Sequence, residues 1–572
     1  MQWPRSSGIL LHVSSLPGSY GIGDLGPEAR RFADWLAEGK QTMWQMLPLA
    51  PTGYGDSPYQ ALSAFAGNTL LISFDDLADD GLLDRSDLGN GPEFAEALVE
   101  FEAVKRFKWP LLRKAYERFG RIAAAEAASG KGANPPVEAG GLPSEGVSIK
   151  GQPTEGQPTE GAPTNAEYER FVGENAYWLD DYALFAALKR AHGERSWLEW
   201  VRPLRLREEV ALREAGERLR DEIAAEKFAQ WIFARQWSSL RRYCAQRGVK
   251  LMGDLPIYVA HDSADVWAHP EMFLLDEEGR GKVVAGVPPD YFSATGQLWG
   301  NPIYDWKRHE ASGFAWWIRR VRAMLSQFDF LRIDHFRGFE AYWAVFVPVP
   351  APGGVPVPAP GGVPAPGGAL TAERGEWVKA PGEKLFAALE AALGDLPVLA
   401  ENLGVITPEV EELRMRYHLP GMAILQFAFG GDAQAPYFKP HNYTRDRVAY
   451  SGTHDNDTVM GWWERGEATA TESVEDIRRQ HEYAVRYLDI GDPVSNPEFV
   501  FTEVNWAFIR TLMASVAECT IYPMQDVLGL GTPARMNYPG TSSGNWRWRM
   551  RSEELRAGDA QRLRFLAEIY ER

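Results

Sequence analysis

Eight short, mostly apolar runs recur along the sequence, and patterns typical of helices separate several of them. The runs lie at residues 8–15, 42–49, 249–258, 328–334, 396–401, 421–427, 447–455 and 518–526. Several are apolar at nearly every position, which is typical of parallel strands that are covered on both faces. Because eight such strands alternate with helical segments, we predict an α/β fold of the (β/α)8 TIM-barrel type.

The chain is much longer than a barrel requires. It has 572 residues, whereas a bare (β/α)8 barrel needs about 250. We therefore expect a single catalytic barrel domain over residues 1–572 that carries several insertions. The largest is a mostly helical, charged subdomain at 76–226, after the second strand. A loop-rich insertion at 260–305 follows the third strand and is expected to lie over the cleft.

Two low-complexity segments interrupt the alternation of strands and helices. Residues 123–164 contain the near-repeat GQPTEGQPTEGAPT, and the Pro- and Gly-rich residues 348–368 contain APGGVP twice. Neither segment can bury enough apolar surface to offset the entropy lost on ordering. We predict that both are exposed, disordered insertions rather than partner-binding motifs, and that the second samples extended polyproline geometry.

The charge and hydropathy of the chain disfavour several kinds of partner. Acidic residues outnumber basic ones by 78 to 60, which gives a formal net charge of −18. We therefore expect neither a nucleic-acid partner nor an anionic membrane partner. No run reaches the roughly 18–20 apolar residues of a membrane span, and the N-terminus lacks a basic leader followed by an apolar stretch. These features favour a cytoplasmic protein.

The sequence contains no recognisable metal or cofactor motif. The two cysteines, Cys244 and Cys519, form neither a disulfide framework nor a C-x-x-C spacing. The HDSAD run at 261–265 has candidate ligands, but its spacing matches no calcium loop or zinc motif, and a structural turn is the better interpretation. We therefore expect no metal and no cofactor.

Four carboxylates end, or nearly end, the apolar runs: Asp254, Asp334, Glu401 and Asp455. An acidic residue at a single strand end is usually a helix cap or a solvated turn. In a barrel, however, the carboxyl ends of the strands meet at the face where active sites are found. Retaining glycoside chemistry needs one ionised carboxylate as nucleophile and one protonated carboxyl group as acid/base. The pattern therefore predicts this chemistry.

The neighbours of these carboxylates indicate their roles. Arg332 lies two positions before Asp334, on the same face of the strand, where its charge is expected to keep Asp334 ionised as a nucleophile. Glu401 has no basic neighbour in sequence, and a carboxyl group among other carboxylates should have a raised pKa, as an acid/base requires. His454, beside Asp455, is equally compatible with a hydrogen bond to a sugar and with a loop histidine bonded to backbone.

Three segments place these carboxylates in a specific context: LRIDHFRG, LAENLG and GTHDNDT. They resemble the catalytic segments of the amylomaltases, the 4-α-glucanotransferases of the α-amylase clan (glycoside hydrolase family 77). Further segments resemble the same family in the same order, at 8–26, 50–68, 253–267, 286–306 and 534–541. The resemblance covers nearly the whole chain outside the two low-complexity segments, and it implies the (β/α)8 fold and glucan transfer.

The resemblance also implies roles for individual residues. Asp334 is similar to the nucleophile of the family, Glu401 to its acid/base and Asp455 to its transition-state stabiliser. Substrate contacts are implied for Tyr59, Asp254, Arg332, His454 and Asn537 at the cleavage point, for Trp299 and Phe427 on the acceptor side or wall, for Tyr54 at a secondary glucan position, and for Ser57, Tyr291 and Phe292. The segment at 289–300 resembles a loop that arches over the cleft in this family.

One residue departs from the pattern of the family. The position after the acid/base is more often Asp, whereas this chain has Asn402. An amide removes one negative charge from the neighbourhood of Glu401, so we expect the pKa of Glu401 to be raised less and the acid limb of the pH profile to be altered.

The resemblance favours transfer over hydrolysis. The two reactions share a glycosyl-enzyme and differ in whether a sugar hydroxyl or water attacks it. The aromatic segment at 290–301 suits acceptor stacking and water exclusion, although it is also compatible with an ordinary surface loop. We expect a monomeric 4-α-glucanotransferase acting between α-1,4-glucan donors and acceptors, with cyclic glucans as a further product. The alternatives are an α-glucan hydrolase of the clan and a non-catalytic glucan-binding protein.

Deletion of the second low-complexity segment tests whether it contributes to activity. Removing residues 349–368 should leave turnover of a maltooligosaccharide nearly intact, because the segment is predicted to contribute no packed surface. The measurement is the initial rate of purified deletion variant against full-length protein. A large loss of rate in a deletion variant that remains folded would contradict the prediction.

Overall fold

The computed structural model describes residues 3, 5–89, 91–128, 161–289, 295–346, 357–358, 364–365, 372–468, 472–490, 503–541 and 543–572. Most of the two low-complexity segments lies outside these residues, so their disorder stays a prediction. Tyr291 and Phe292, predicted to contact substrate, also lie outside the described residues.

Eight parallel strands close into a barrel; seven lie within the predicted runs, and the first starts two residues before its run at 8–15. They are β1 (Ser6–Leu10), β2 (Met43–Gln45), β3 (Lys250–Leu255), β6 (Phe330–Ile333), β11 (Val398–Ala400), β12 (Gly421–Ile424), β13 (Arg447–Tyr450) and β14 (Cys519–Pro523). They are hydrogen-bonded around the barrel in this chain order, and β14 pairs with β1 to close it. The predicted (β/α)8 barrel is confirmed.

Polar groups inside the barrel find partners across it. Tyr450 on β13 donates a hydrogen bond of 2.8 Å from its hydroxyl to Oε1 of Gln45 on β2. Since β13 and β2 are not neighbours in the barrel, this bond spans the interior. Both side chains are buried, and pairing avoids the cost of an unsatisfied polar group.

A second sheet lies outside the barrel and contains the remaining long strands. It is antiparallel in the order β10-β7-β4-β5, and we refer to it as the side sheet. Its strands are β4 (Val283–Val287), β5 (Gln297–Pro302), β7 (Ala341–Phe346) and β10 (Glu376–Lys379). The stretch at 260–305, predicted from its turn residues as loop-rich, thus holds two strands that pair with each other, and β4 also pairs with β7 from beyond β6. Two short strands, β8 (Val357–Pro358) and β9 (Pro364–Ala365), pair with each other.

Helices cover the barrel and fill the long connection between β2 and β3. That connection holds α2 (Phe74–Asp79), α3 (Arg85–Leu88), α4 (Phe101–Ala128), α5 (Asn165–Ala191), α6 (Arg202–Arg205), α7 (Glu209–Arg218) and α8 (Arg220–Gln246). The others are α1 (Pro27–Glu38), α9 (Ala264–Ala268), α10 (Trp306–Ala311), α11 (Ala315–Gln327), α12 (Gly382–Leu393), α13 (Pro408–Arg416), α14 (Val459–Glu464), α15 (Val474–Leu488), α16 (Val504–Ala514), α17 (Met524–Leu528) and α18 (Ala557–Ile569). Among the described helices, none combines the length and the apolar character needed to cross a bilayer.

Buried polar side chains attach this helical region to the segment that follows β2. Gln230 on α8 accepts a hydrogen bond from the Gly67 amide and donates one to the Gly67 carbonyl, at 2.8 and 2.9 Å. Gln236 pairs with Ser73 in the same way, at 2.7 and 3.0 Å. Lys108 on α4 donates to two further carbonyl oxygens of this segment. The helices therefore fix a segment whose earlier part, residues 54–59, forms part of the cleft described below.

A substitution at Gly8 tests how closely neighbouring barrel strands pack. It pairs with Met43 on β2, and a Cβ added to it would lie 2.2 Å from the Met43 carbonyl oxygen. Gly8→Ala should therefore destabilise the fold by about 1–3 kcal/mol, measured as a lower melting temperature. Gly120→Ala on α4 is the control, since nothing lies near its added Cβ, and it should stabilise by about 0.5–1 kcal/mol. An equal response of the two variants would contradict the prediction.

Candidate active site

A cleft of about 560 Å³ opens at the carboxyl ends of the barrel strands. Most of the residues predicted from the sequence line it, namely Tyr54, Ser57, Tyr59, Trp299, Arg332, Asp334, Glu401, Phe427, His454, Asp455 and Asn537. They come from segments that follow most of the barrel strands and from the side sheet. The structure thus brings together eleven predicted residues that are up to 483 positions apart, from Tyr54 to Asn537.

Arg332 lies at the base of the cleft between two carboxylates. Its guanidinium donates hydrogen bonds of 2.6 Å to Asp254 Oδ2 and of 2.8 Å to Asp334 Oδ1. The Tyr59 hydroxyl donates to the same Asp254 oxygen at 2.7 Å. Asp254 was predicted to contact the sugar, but its side chain is 0% exposed and lies beneath the cleft wall. It therefore orients Arg332 and Tyr59, which do line the cleft.

Asp334 follows β6 directly and remains 28% exposed at the cleft. The sequence predicted that Arg332 keeps this carboxylate ionised. The guanidinium does lower the pKa of Asp334, but burial and the charges of Asp254, Glu401 and Asp455 raise it more, to about 8. Burial is the largest cause of this rise, so the guanidinium alone does not set the charge of Asp334, and the ionised nucleophile stays a prediction.

Glu401 follows β11 and is held by backbone amides on both sides. The His335 N–H donates to its Oε2 at 2.7 Å, and the Leu403 N–H donates to its Oε1 at 2.8 Å. Burial raises the pKa of Glu401, and the charge of Asp455 adds to this, while Arg332 and the two amides act in the opposite direction. The raised pKa agrees with the direction that was predicted for a proton donor.

His335 provides one of these amides because its backbone is left-handed, with φ 50° and ψ 51°. Such a conformation is uncommon for a residue other than Gly and is found at functional sites. It turns the chain immediately after Asp334 and directs the amide toward Glu401. One local distortion therefore links the two carboxylates that the predicted chemistry requires.

Asn402, the residue that departs from the family pattern, is directed away from the cleft. Its Oδ1 accepts a hydrogen bond of 2.8 Å from the Met422 amide on β12, and its Nδ2 donates one of 2.5 Å to Glu411 on α13. A carboxylate at this position would face the Glu411 carboxylate. The amide therefore suits its neighbours in this chain, and it contacts Glu411 rather than Glu401.

Asp455 is held by the segment that follows β14. Asn537 donates from Nδ2 to Asp455 Oδ1 at 2.6 Å, and Arg535 donates to the Asp455 carbonyl at 2.6 Å. His454 Nε2 lies 3.4 Å from Asp455 Oδ2. Burial lowers the pKa of His454, so this imidazole is neutral near pH 7. His454 belongs to the cleft wall, and its predicted hydrogen bond to a sugar stays a prediction.

Aromatic rings form the walls of the cleft. The Tyr59 and His454 rings stack at 5.1 Å between centroids, and Trp546 packs against both. On another wall, Trp299 of the side sheet meets the His335 ring edge-on at 4.7 Å. Phe427 packs against Phe438 at 5.4 Å. Exposed rings beside carboxylates suit a sugar, whose apolar C–H face packs on an aromatic ring.

Residues that line this cleft and that sequence reasoning missed include His335, Arg337, Trp377 and Trp546. The guanidinium of Arg337 lies 3.8 Å from the centre of the Trp377 ring, and it also donates to the Val405 carbonyl. His335 and Arg337 were visible as part of LRIDHFRG. The two tryptophans had no local signal, because they come from the side sheet and from the C-terminal region.

Comparison with known proteins decides the family. A family model described as 4-alpha-glucanotransferase (glycoside hydrolase family 77) matches residues 11–131 and 152–555. The chain belongs to this family. Similar proteins include the 4-alpha-glucanotransferase of Thermus thermophilus, 47% identical over 100% of both chains, and that of a Synechocystis strain, 44% identical over 99% of this chain and 98% of that protein. The family resemblance found in the motifs is thereby confirmed.

A solved structure of the family has the same fold. The amylomaltase from Streptococcus agalactiae in complex with acarbose is 37% identical, covers 99% of both chains and superposes with a TM-score of 0.82. The match extends across the insertions as well as the barrel, so the family fold includes the elements that form the walls of the cleft.

The carboxylate cluster should cost stability as the pH rises. The folded-state pKa of Asp334 is about 8, above its ordinary 3.8, so its stabilising contribution is complete below pH 3.8 and is lost as the pH rises through 8. Asp334→Asn removes this titration, and its melting temperature should exceed that of the unsubstituted chain by a few degrees at pH 8 and by less at pH 5.

Scanning calorimetry at several pH values measures this difference. Asp395→Asn is the control, since it removes an exposed surface carboxylate outside the cleft, and it should show no such widening between pH 5 and pH 8. The prediction would be contradicted if the difference in melting temperature between Asp334→Asn and the unsubstituted chain became smaller as the pH rises.

Proposed function

We propose that the chain is a 4-α-glucanotransferase that moves α-1,4-glucan segments between maltooligosaccharides or starch chains through a covalent glycosyl-aspartate. The observation that carries this proposal is the convergence of Asp334, Glu401 and Asp455 on one aromatic-walled cleft in a chain of this family. Donor and acceptor glucans would be its partners, in a cytoplasmic monomer without a cofactor.

In the first step, Glu401 gives its proton to the glycosidic oxygen while Asp334 attacks the anomeric carbon. The bond to the leaving sugar breaks, and an ester to Asp334 forms. This step needs a proton on Glu401 and none on Asp334. Since burial raises the pKa values of both groups, the productive state is the one in which Glu401 holds a proton and Asp334 does not.

In the second step, the 4-hydroxyl of an acceptor sugar attacks the anomeric carbon from the side that the first sugar left. Glu401, now ionised, accepts the hydroxyl proton, and Asp334 is released as a carboxylate. Two displacements at the same carbon retain its configuration. The enzyme returns to its starting protonation state. One glycosidic bond has been broken and one formed, and none has been hydrolysed.

Asp455 and the groups around it are proposed to stabilise the positive charge that develops on the sugar ring. Its carboxylate is already oriented by Asn537, so little reorganisation is needed in the transition state. Arg332, Tyr59 and His454 line the same part of the cleft and are proposed to bind the sugar at the cleavage point.

Transfer requires that a sugar compete with water for the glycosyl-enzyme. A hundredfold preference needs about 2.7 kcal/mol of differential transition-state stabilisation. Trp299, Trp377 and Phe427 offer ring surface for an acceptor sugar along the walls of the cleft. Such binding energy, realised when the acceptor is present, favours transfer over hydrolysis.

Products formed from maltotriose alone test the proposal. Purified chain should convert maltotriose into glucose and a ladder of longer maltooligosaccharides without a net gain of reducing ends. Asp334→Asn should lower turnover by at least roughly a thousandfold while maltotriose still binds, because only the nucleophile is lost. Chromatography of the products and a reducing-end assay measure both outcomes.

Two results would contradict the proposal. Rising reducing ends with only shorter products would make the chain a hydrolase. Binding of maltotriose without any turnover would make it a glucan-binding protein. Retained turnover in Asp334→Asn would leave the activity in place but contradict the role of this residue.

A further inference from the structure

Asp526 is a buried carboxylate that the proposed reaction does not use. It lies on α17, just after β14, and is 1% exposed. Within the described part of the chain, no basic side chain forms an ion pair with it, and burial raises its pKa to about 6. A buried carboxylate without a cation is costly, so its partners need an explanation.

The two oxygens of Asp526 bind the two ends of one loop. Its Oδ2 accepts a hydrogen bond of 2.6 Å from the Ser451 hydroxyl, directly after β13. Its Oδ1 accepts one of 2.7 Å from the Val459 amide, the first residue of α14. Residues 452–458 connect these two points, and we refer to them as the Asp455 loop. Both ends of the loop are therefore fixed to one side chain.

The Asp455 loop carries four residues that line the cleft: Thr453, His454, Asp455 and Asn456. Its tip is bound internally, since the Thr453 amide donates to Asn456 Oδ1 at 2.9 Å. The carbonyl at its far end, that of Asp457, accepts from Gln426 at 2.8 Å. The tip is also held from outside, because Arg535 and Asn537 bind Asp455, so the Asp526 bonds fix the base of the loop while these bonds support its tip.

The backbone of Asp526 is fixed as well. The Asn505 side chain on α16 donates a hydrogen bond of 2.7 Å to the Asp526 carbonyl. Asp526 therefore stands on a rigid support formed by α16 and α17. A carboxylate on such a support can transmit its position to the loop through two short hydrogen bonds.

We propose that Asp526 is a positioning residue for the reaction, which acts by anchoring both ends of the Asp455 loop and thereby placing Asp455 and His454 against the sugar. This inference rests on the proposed function, because it assigns Asp526 a role through Asp455. Asp526 itself does not line the cleft and touches no substrate.

A pair of substitutions at Asp526 tests this role. Asp526→Ala removes both anchors and should lower kcat for maltotriose consumption roughly 10- to 100-fold, since small misplacements of reacting groups have effects of this size. Asp526→Asn keeps an acceptor for the Val459 amide and can donate to the Ser451 oxygen, so it should retain at least about a third of the wild-type rate. An Asn variant as impaired as the Ala variant would overturn the proposal.

A double-mutant cycle separates positioning from a general structural effect. If Asp526 acts through Asp455, then Asp526→Ala should cause less than about a threefold further loss in the Asp455→Asn background. An equal loss in both backgrounds would overturn the proposal. Glu226→Ala is the matched control. Glu226 is another buried carboxylate, which lies on α8 and pairs with Arg190, and its substitution should lower the stability of the fold without changing kcat.

Hydrogen exchange gives a readout that does not depend on activity. Amides of residues 453–459 should exchange faster in Asp526→Ala than in Asp526→Asn, while those of α8 stay unchanged. If Asp526→Ala does not accumulate as folded protein, Ser451→Ala removes one anchor and should give a smaller rate loss with the same local increase in exchange. Unchanged exchange in the loop would overturn the proposal.

The wild-type assay keeps the two proposals distinguishable. The rate is measured as the total maltotriose consumed. The comparison of the Asp526 variants is therefore valid whether a sugar or water accepts the glycosyl group. Absence of any consumption by the wild type would contradict the proposed function, while the exchange experiment would still decide whether Asp526 anchors the loop. An active wild type with no difference between the Ala and Asn variants would contradict only the role of Asp526.

Discussion

The active site depends on one buried guanidinium that several carboxylates share. Arg332 donates to Asp254 beneath the cleft and to Asp334 at its surface, so it orients from below the carboxylate that we propose as nucleophile. Burial raises the pKa values of Asp334 and Glu401, and the charge of Asp455 adds to both, while Arg332 lowers them. Holding these carboxyl groups together in the cleft costs stability that the rest of the fold must offset.

The elements outside the barrel give the cleft its shape. Helix α8 fixes the segment after β2 through Gln230 and Gln236, and that segment brings Tyr59 to the base of the cleft. The side sheet contributes Trp299 and Trp377, and the C-terminal region contributes Trp546. The barrel thus presents the carboxylates, while the insertions supply the aromatic surface and the supports. This division matches a fold in which loop variation sets the substrate.

Several site predictions agreed with the geometry, and others changed once neighbours were known. The two-residue spacing correctly placed Arg332 and Asp334 on one face, because strand periodicity is local. The expected ionisation of Asp334 considered only Arg332, whereas burial raises the pKa of this carboxyl and the charges of Asp254, Glu401 and Asp455 add to the rise. The sequence did not show that the Asp254 side chain is buried, because burial depends on what packs above a strand end, and its predicted contact with the sugar stays a prediction.

The sequence by itself determined the eight strands, the carboxylates at their ends and the family, because apolar runs, strand periodicity and contiguous motifs are local properties. Only the tertiary structure decided that β4 and β5 join β7 and β10 in one sheet, that Trp377 and Trp546 line the same cleft as the carboxylates, and that Asp526 binds both ends of the Asp455 loop. These arrangements join residues from distant parts of the chain. A local sequence pattern sets the face of a strand or helix on which a side chain lies. Packing between elements determines its hydrogen-bond partners and its protonation state.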